Sequence, residues 1–319
     1  MNILIYNSGG GLGDSIQLFN IINSLNHRFK NVKIFYLGAH NNHFKDKLKE
    51  YKLSIQDYDI NLKYFGFRWK HFFQVRSKLI NNLKINFDLI IDLQSKVRNT
   101  MILSRLNYKV FYSSTLNYIF CSKKKTFINT KNNLDQILIN LEKILETDIP
   151  LLKYDINKIE TKYHNEAARL LPKNNYVGFS VTQGNQYRKK TWPIEKFINV
   201  ANNLKQEVPV FFIEKNKKEL IKEISSSVKT AIFPEINTSL SCPALITLMA
   251  KRLKKVITID NGIMHMMALA NVPMIAIFGP TNSKKFAPQI DDIKILDSKE
   301  IYNSEDISKI TEEDVLKLI

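Results

Sequence analysis

The stretch that most constrains the fold is Lys255–Thr281, which reads KVITIDNGIMHMMALANVPMIAIFGPT. Its two apolar runs, Val256–Ile259 and Met274–Phe278, have the length of buried strands, and Ile263–Asn271 between them has helical character. A strand, a helix and a second strand form a βαβ unit, which is how a chain joins two parallel strands. The stretch therefore predicts an open α/β sheet.

The turn between the first strand of this unit and its helix is Asp260-Asn261-Gly262, and His265 follows one helical turn later. Open α/β sheets bind ligands at the carboxyl ends of their strands, where the amino end of a helix favours a phosphate. The turn is therefore a candidate phosphate site. His265 is a base, a ligand-contacting donor or a core residue, and a lone histidine on an apolar helix face is more often a core residue. Its position one helical turn from Asp260-Asn261-Gly262 predicts that it faces the same ligand site.

Composition limits the class of protein. A length of 319 residues is enough for two domains, and a hydrophobic content of 44% supports packed cores. Cys121 and Cys242 lie too far apart to suggest a disulfide framework or a metal cluster, which favours a reducing cytoplasm. No apolar run reaches the roughly 18 residues of a transmembrane helix, and the first residues do not resemble a signal peptide. We therefore predict a globular, cytoplasmic protein.

The chain is strongly basic, with a net charge of +17 and a pI near 9.6. Such a charge attracts phosphates, nucleic acid or an acidic membrane surface. Because the sequence has neither zinc-finger spacing nor an RNP-type aromatic motif, nucleic acid is not favoured as a partner. A genome rich in lysine codons explains the charge equally well, so its cause stays open at this point.

Strand and helix patterns alternate in two sets. The first set has a strand at Asn2–Tyr6, a glycine-rich loop, a helix at Ser15–Leu25, strands at Val32–Leu37 and Phe87–Leu93, and a helix at Leu134–Leu145. The second has strands at Tyr176–Val181, Val208–Ile213 and Ala231–Phe233, helices at Ile194–Leu204, Lys218–Ser225 and Cys242–Ala250, and finally the βαβ unit, which completes the sheet.

Residues 150–175 are polar and lysine-rich and lack this alternation, which predicts a linker between the two sets. The sequence thus predicts two doubly wound domains that face each other across a cleft. We place the N-terminal domain at 1–165 and the C-terminal domain at 166–319, with a last helix that can pack back on the N-terminal domain.

The glycine-rich loop Ser8–Asp14 lies between the first strand and the first helix. A dinucleotide fingerprint starting at Gly9 would require glycine at position 14, and the second strand lacks the ribose-binding acid that should follow it. The glycines, including Gly11 and Gly13, instead leave room for a ligand. Asp14 falls in the first helical turn, where it either points toward that ligand or caps the helix.

The loop Thr182–Pro193 follows another strand and contains three consecutive cations, Arg188, Lys189 and Lys190. Cations at the carboxyl end of a strand suit a diphosphate, whereas a solvated charge run is the usual state of lysines in a lysine-rich chain. Pro193 suits the first position of a helix. The adjoining glycine turn and helix start favour the diphosphate.

Two other segments carry aromatic, basic or histidine side chains. Tyr64–Phe73, YFGFRWKHFF, is either a partly buried helix or a surface that faces an acceptor or a membrane. Because no strong amphipathic pattern is evident, we favour the partly buried helix. His40 and His43 have no evident carboxylate or thiolate partners and are interpreted as a surface loop.

Five motifs, in order, resemble glycosyltransferase family 9, the ADP-heptose:lipopolysaccharide heptosyltransferases. The last is the most specific, because it resembles the family's T-x-D-S/T-G-x-x-H followed by F/Y-G-P-T, and the resemblance covers nearly the whole chain. The motifs are Gly13-Asp14 after the first strand, FDLIIDLQ at Phe87–Gln94, Lys190-Thr191-Trp192-Pro193, Thr238-Ser239-Leu240, and Thr258–His265 with Phe278–Thr281.

The resemblance implies a GT-B fold, with two Rossmann-like domains that bind the acceptor and the nucleotide sugar respectively. It implies an inverting transfer with neither metal nor cofactor. Asp14 matches the family's catalytic base, with Gly11 and Gly13 in its loop. Lys190, Asp260, Gly262 and His265 match the family's donor-binding positions. The cationic loop and the turn add Thr182, Arg188 and Asn261 as further candidate donor-binding residues. Asn261 departs from the Ser or Thr that the family usually has.

The partners that the resemblance implies are a nucleotide sugar, expected to be ADP-heptose, and an anionic glycolipid acceptor. Nucleic acid is not expected, and the enzyme would associate peripherally with the inner face of the cytoplasmic membrane. Two alternatives differ in class. One is a Rossmann-type NAD-dependent oxidoreductase or epimerase, and the other is a non-catalytic nucleotide-sugar-binding protein.

Overall fold

The computed structural model describes residues 1–38, 42–75, 85–94, 96–130, 134–184 and 190–319. These residues divide into two compact units, Met1–Tyr154 and Asp155–Ile319, and each unit contains a five-stranded sheet in the described residues. Every strand pair in both sheets is parallel. The predicted class, two doubly wound α/β domains, is confirmed.

The sheet of the first unit has the strand order β3-β2-β1-β4-β5. Its strands are β1 (Asn2–Asn7), β2 (Lys33–Gly38), β3 (Gln56–Asp57), β4 (Phe87–Asp92) and β5 (Tyr108–Ser113). From β1 the chain continues to β2 and β3 on one side of the sheet, and from β4 it continues to β5 on the other side. The loops that follow β1 and β4 therefore diverge, and the gap between them is a topological switch point.

The helices of the first unit cover both faces of its sheet. They are α1 (Leu12–Ile16), α2 (Phe19–Arg28), α3 (residues 70–75 of those described), α4 (Val97–Leu103) and α5 (Ile137–Leu145). The single helix predicted at Ser15–Leu25 is wrong, because the chain forms two helices here. The Leu18 N–H bonds to the Ser15 carbonyl only three residues back, and this tight turn separates α1 from α2.

The core of the first unit explains the continuous apolar runs of its central strands. Alternate residues of β1 enter opposite layers: Ile3 and Ile5 pack toward α2 and α5, while Leu4 and Tyr6 pack toward α4. A parallel strand covered on both faces needs apolar side chains at nearly every position. This requirement made β1 and β4 visible in the sequence.

The sheet of the second unit has the strand order β10-β9-β8-β6-β7. Its strands are β6 (Tyr176–Ser180), β7 (Val208–Phe211), β8 (Lys255–Ile259), β9 (Met274–Phe278) and β10 (Ile293–Asp297). The strand predicted at Ala231–Phe233 is reduced to a single bridge between Ile232 and Val210. The prediction that β9 completes the sheet is also wrong, because β10 pairs with its outer edge.

The helices of the second unit begin with one that the sequence analysis missed. They are α6 (Thr161–Leu170), α7 (Ile194–Asn202), α8 (Lys218–Ser227), α9 (Pro243–Ala250), α10 (Gly262–Ala268), α11 (Ser283–Phe286), α12 (Ser298–Tyr302) and α13 (Glu312–Leu316). The linker predicted at 150–175 is therefore wrong in its second half. α6 buries Tyr163 and Ala167 against the unit and turns its polar face outward, which gave the segment its linker-like composition.

The boundary between the units falls between Tyr154 and Asp155, ahead of the position predicted at 165/166. α6 packs against α9, which places it in the second unit. The last helix, α13, belongs to that unit too, because it packs on α7 and its Val315 lies in the same core. Among the residues that the structure describes, no helix is long and apolar enough to cross a membrane.

Core packing in the second unit predicts how one substitution will act at two positions. Ile257 on the central strand β8 is fully buried, whereas Ile295 on the edge strand β10 is 40% exposed. We expect Ile257→Val to lower the free energy of unfolding by about 0.5–1.5 kcal/mol, because it leaves a cavity. Ile295→Val should change it by less than about 0.5 kcal/mol. Equilibrium urea unfolding measures both, and equal losses would contradict the described placement of β8 and β10.

Candidate active site

The candidate donor site lies at the switch point of the second sheet, between β6 and β8. The chain leaves β6 toward β7 and leaves β8 toward β9, so the loops after β6 and β8 start side by side. The Asn261 side chain joins these loops. Its Nδ2 donates to Ser180 Oγ at 2.7 Å and to the Thr182 carbonyl oxygen at 2.8 Å.

Asn261 is also the N-cap of α10. Its backbone is extended and its Oδ1 accepts from the Met264 N–H at 2.9 Å, which satisfies a donor of the first helical turn. One amide therefore makes three hydrogen bonds, one as acceptor and two as donor. A Ser or Thr hydroxyl has a single proton to donate. The departure from the family's usual hydroxyl residue thus has a structural reason in this chain.

Lys190 and Asp260 form an ion pair at this site, although they are 70 residues apart in the chain. Lys190 Nζ lies 2.5 Å from Asp260 Oδ2, and the two side chains are 19% and 8% exposed. The Lys190 N–H also donates to Gln183 Oε1 at 2.9 Å, which ties the end of the loop to its beginning. An ammonium has three donors, so Asp260 can fix the position of Lys190 while the remaining donors serve an anion.

The other described residues of the predicted donor site lie in the loop after β6 and in α10. Gly262 is the first residue of α10, and Thr182 contributes its carbonyl to the bridge with Asn261. His265 lies on α10 within the same turn region, and only 6% of its surface is exposed. Arg188 lies outside the described residues. The structure thus brings Thr182, Lys190, Asp260, Asn261 and Gly262 to one edge of the sheet.

The candidate base, Asp14, lies at the switch point of the first sheet. It is the third residue of α1, and its Oδ2 accepts from the Gly11 N–H at 3.2 Å. The capping interpretation is therefore correct for this oxygen. Among the described residues, Oδ1 accepts no hydrogen bond. Asp14 thus caps the start of α1 and still has one carboxylate oxygen for other chemistry.

The glycines of this loop make room for the Asp14 carboxylate. A Cβ atom at Gly9 would come within 2.8 Å of Asp14 Oδ2, and one at Gly11 would come within 2.9 Å. Gly13 is helical, and its carbonyl accepts from the Gln17 N–H at 3.1 Å. The sequence pattern predicted that the glycines leave room for a ligand. In the structure, Gly9 and Gly11 also let the backbone wrap closely around Asp14.

Asn7 and Gln94 hold the glycine-rich loop in place, and the sequence analysis did not single them out as site residues. Asn7 Oδ1 accepts from the Gly9 N–H at 2.9 Å and from Gln94 Nε2 at 3.2 Å, while Asn7 Nδ2 donates to the Asp14 carbonyl at 3.3 Å. Asn7 ends the central strand β1 and Gln94 follows the central strand β4, so both lie at the switch point. That position was the signal that could have identified them.

A buried carboxyl group, Asp92, anchors this network. Its Oδ1 accepts from the Gln94 N–H at 2.9 Å, and its Oδ2 accepts from Thr100 Oγ1 at 2.5 Å and Ser113 Oγ at 2.8 Å. Burial raises the pKa of Asp92, while these hydrogen bonds act in the opposite direction. Hydrogen bonds thus connect the core of the first unit to Asp14 through Asp92, Gln94 and Asn7.

His43 lies beside the same loop, with its Nε2 at 3.1 Å from the Gly10 carbonyl oxygen. His43 was predicted to lie in a surface loop, and in the structure it also contacts the glycine-rich loop. His40 lies outside the described residues. Among the parts of the chain that the structure describes, no three His, Cys, Asp or Glu side chains are grouped so that they could hold a metal ion.

Comparison with known proteins gives consistent matches. The model of glycosyltransferase family 9 (heptosyltransferase) matches residues 76–317. The chain is 26% identical over 339 aligned residues to lipopolysaccharide heptosyltransferase 1 of Campylobacter coli, and the alignment covers 97% of this chain and 95% of that protein.

Two solved structures have the same fold over nearly the full chain. The family 9 glycosyltransferase of Veillonella parvula has a TM-score of 0.68 at 19% identity, covering 99% of this chain and 95% of the other. The E. coli heptosyltransferase WaaC with ADP has a TM-score of 0.67 at 18% identity, covering 100% and 97%. The predicted GT-B fold is confirmed. Since the family model spans most of the sequence, the chain belongs to glycosyltransferase family 9 and is a glycosyltransferase.

Proposed function

We propose that this enzyme transfers a heptose, with inversion, from ADP-heptose to a lipopolysaccharide-core or other lipid-linked acceptor. The observation that carries the proposal is the Lys190–Asp260 pair beside the Asn261-capped start of α10, a suitable place for a sugar diphosphate. The name of the Campylobacter coli relative supports a lipopolysaccharide acceptor, and ADP in the E. coli WaaC structure supports an adenine nucleotide.

On the donor side, the developing charge of the departing ADP must be stabilised. We assign this task to the Lys190 ammonium and to the backbone amides at Gly262, in a metal-independent reaction. Asp260 holds Lys190 in place and contributes to sugar binding, while Asn261 fixes the direction of the helix start. Thr182, Arg188 and His265 complete the proposed donor site.

On the acceptor side, we assign the general base to Asp14. The Gly11 N–H holds Oδ2, so Oδ1 is the oxygen that takes the proton. The acceptor hydroxyl loses this proton as its oxygen bonds to the anomeric carbon, and the bond from that carbon to the diphosphate breaks on the opposite face. ADP leaves with the electron pair, and the configuration at the anomeric carbon is inverted.

The acceptor that we propose is an anionic glycolipid, which agrees in sign with the net charge of +17. A lipid-linked acceptor requires the enzyme to work at a membrane surface. We therefore propose a cytoplasmic enzyme that associates peripherally with the inner face of the cytoplasmic membrane.

The two alternative functions have less support. Membership in a family of transferases speaks against both an oxidoreductase or epimerase and a non-catalytic binding protein. An NAD-dependent enzyme would also need the dinucleotide fingerprint that Asp14 interrupts.

Replacing the proposed base should separate catalysis from donor binding. Asp14→Asn keeps an oxygen for the Gly11 N–H but cannot accept the proton, so we expect kcat to fall about 10²- to 10⁴-fold. Heptose transfer measured by ADP release tests this, and calorimetry should show unchanged ADP affinity. A kcat close to that of the unmodified enzyme would refute the assignment of Asp14.

Replacing the proposed phosphate-binding cation should weaken ADP binding. We expect Lys190→Ala to raise the Kd for ADP about 10- to 100-fold, because a charged hydrogen bond contributes about 1.5–3 kcal/mol. The matched control is Lys254→Ala, which removes a lysine that pairs with Glu207 at 3.3 Å in the same unit. Calorimetry should find the control unaffected, and an unchanged Kd in Lys190→Ala would rule out its proposed role.

The donor can be identified by thermal unfolding in the presence of nucleotide sugars. A ligand at 100 times its Kd stabilises the native state by about 2.7 kcal/mol. We expect ADP-heptose to raise the Tm more than GDP-, UDP- or dTDP-sugars at equal concentration. A larger shift with another nucleotide sugar would replace ADP-heptose as the proposed donor.

A further inference from the structure

We propose that an aromatic and basic surface on the first unit docks on an anionic lipid bilayer. This docking surface consists of Lys63, Tyr64, Arg68, Trp69, Lys70 and Phe73. The inference rests on the lipid-linked acceptor of the proposed function, and it identifies the part of the chain that meets the membrane.

Positive charge is concentrated in one segment of the first unit. Residues 60–134 contain fourteen Lys and Arg residues but only two acids, Asp88 and Asp92, and so carry twelve of the seventeen net positive charges. Asp92 is buried, and Asp88 pairs with Lys109 at 2.7 Å. A codon bias would spread the charge through the whole chain. Its concentration in one segment instead indicates an anionic partner for the first unit.

Large aromatic side chains within this segment are exposed. Trp69 is 54% exposed, Phe73 is 77% exposed and Tyr64 is 49% exposed. Trp69 is the turn residue directly before α3, and Phe73 lies within that helix four residues later. Arg68 and Lys70 are exposed beside them. Aromatic rings flanked by cations suit the interface of a bilayer with anionic lipids.

The opposite side of the same segment is anchored in the protein. Phe65, His71 and Val75 are each at most 2% exposed, and Phe65 stacks on His71. The helix predicted over Tyr64–Phe73 is wrong in extent, because turns precede α3. The prediction that this segment is partly buried is right for its inner side. The anchored inner side holds the exposed rings outward, where a bilayer can reach them.

The docking surface is tied to the edge of the sheet that carries Asp14. The Phe65 carbonyl accepts from Tyr6 Oη at 2.8 Å, and the Gly66 carbonyl accepts from Arg98 Nε at 3.0 Å. Tyr6 precedes Asn7, which binds the glycine-rich loop around Asp14. A bilayer on this surface would therefore lie close to the edge where the acceptor is proposed to react.

Gly66 makes this connection possible. Its φ of +87° is in the left-handed region that favours glycine, and a Cβ there would collide with Tyr6 Oη. The turn can therefore approach the end of β1 closely. Single-stranded nucleic acid also binds basic surfaces with exposed rings, but the proposed lipid-linked acceptor favours the bilayer as the occupant.

Vesicle binding by the full-length chain tests the inference. The probes are vesicles of phosphatidylglycerol mixed with phosphatidylcholine and vesicles of phosphatidylcholine alone. Trp69 is exposed, while Trp192 is 2% exposed and donates its Nε1–H to the Ile310 carbonyl, so a change in tryptophan emission reports mainly on Trp69. We expect cosedimentation and a blue shift with the anionic vesicles only, and no blue shift in Trp69→Phe.

Substitutions on the surface should weaken vesicle binding, and matched substitutions elsewhere should not. Two double variants test this surface: one combines Trp69→Ser with Phe73→Ser, and the other combines Arg68→Glu with Lys70→Glu. We expect each to reduce the affinity for anionic vesicles at least tenfold. The controls in the second unit are Ile301→Ser, at an exposed apolar position, and Lys222→Glu with Lys229→Glu, at exposed cations. Circular dichroism and thermal unfolding verify that each variant is folded.

Activity assays separate this inference from the proposed function. The surface variants should keep heptose transfer to a delipidated soluble acceptor and lose it toward the lipid-linked form of that acceptor in vesicles. If the unmodified chain shows no transferase activity but still binds anionic vesicles through Trp69, the proposed function is refuted and the docking surface is not. The inference is overturned if the unmodified chain ignores anionic vesicles, if the surface variants bind them normally, or if Trp69 responds only to a single-stranded oligonucleotide.

Discussion

The proposed donor site depends on one side chain, the amide of Asn261, which joins two loops at the switch point of the second sheet. It bonds the β6 loop through Ser180 and Thr182 and caps α10 through Met264. These bonds fix the turn that contains Asp260, and Asp260 in turn fixes Lys190. Losing the amide would leave buried polar groups without partners, which is costly.

The first unit solves the same problem with the same kind of residue. Asn7 is the last residue of β1; its side chain accepts from Gly9 and Gln94 and donates to the Asp14 carbonyl. A parallel sheet opens at its switch point, so the diverging loops need a short side chain that both donates and accepts. An ionised carboxylate cannot donate, and a hydroxyl has only one proton. An asparagine at each switch point meets this need and places Asp14 and Lys190 for their proposed roles.

The two units also differ in a way that fits a division of tasks. The first carries most of the excess positive charge and the exposed rings of Trp69 and Phe73, whereas the second holds a largely buried ion pair. A cation paired with Asp260 suits one small ligand, such as a diphosphate. A spread of exposed cations suits an extended anionic surface, because each contributes a small attraction and the sum becomes large.

The sequence by itself determined the central strands and the chemistry of the turns. β1, β4, β6, β8 and β9 are covered on both faces, so nearly every position is apolar and each run is visible. The edge strands β3, β5 and β10 carry exposed residues and were missed for that reason. α6 resembled a linker because it buries only one face. The family motifs named Asp14, Lys190 and Asp260. Only the tertiary structure paired Lys190 with Asp260, linked Asn7 to Gln94 and left Trp69 exposed, because such contacts depend on which loops the strand order brings together.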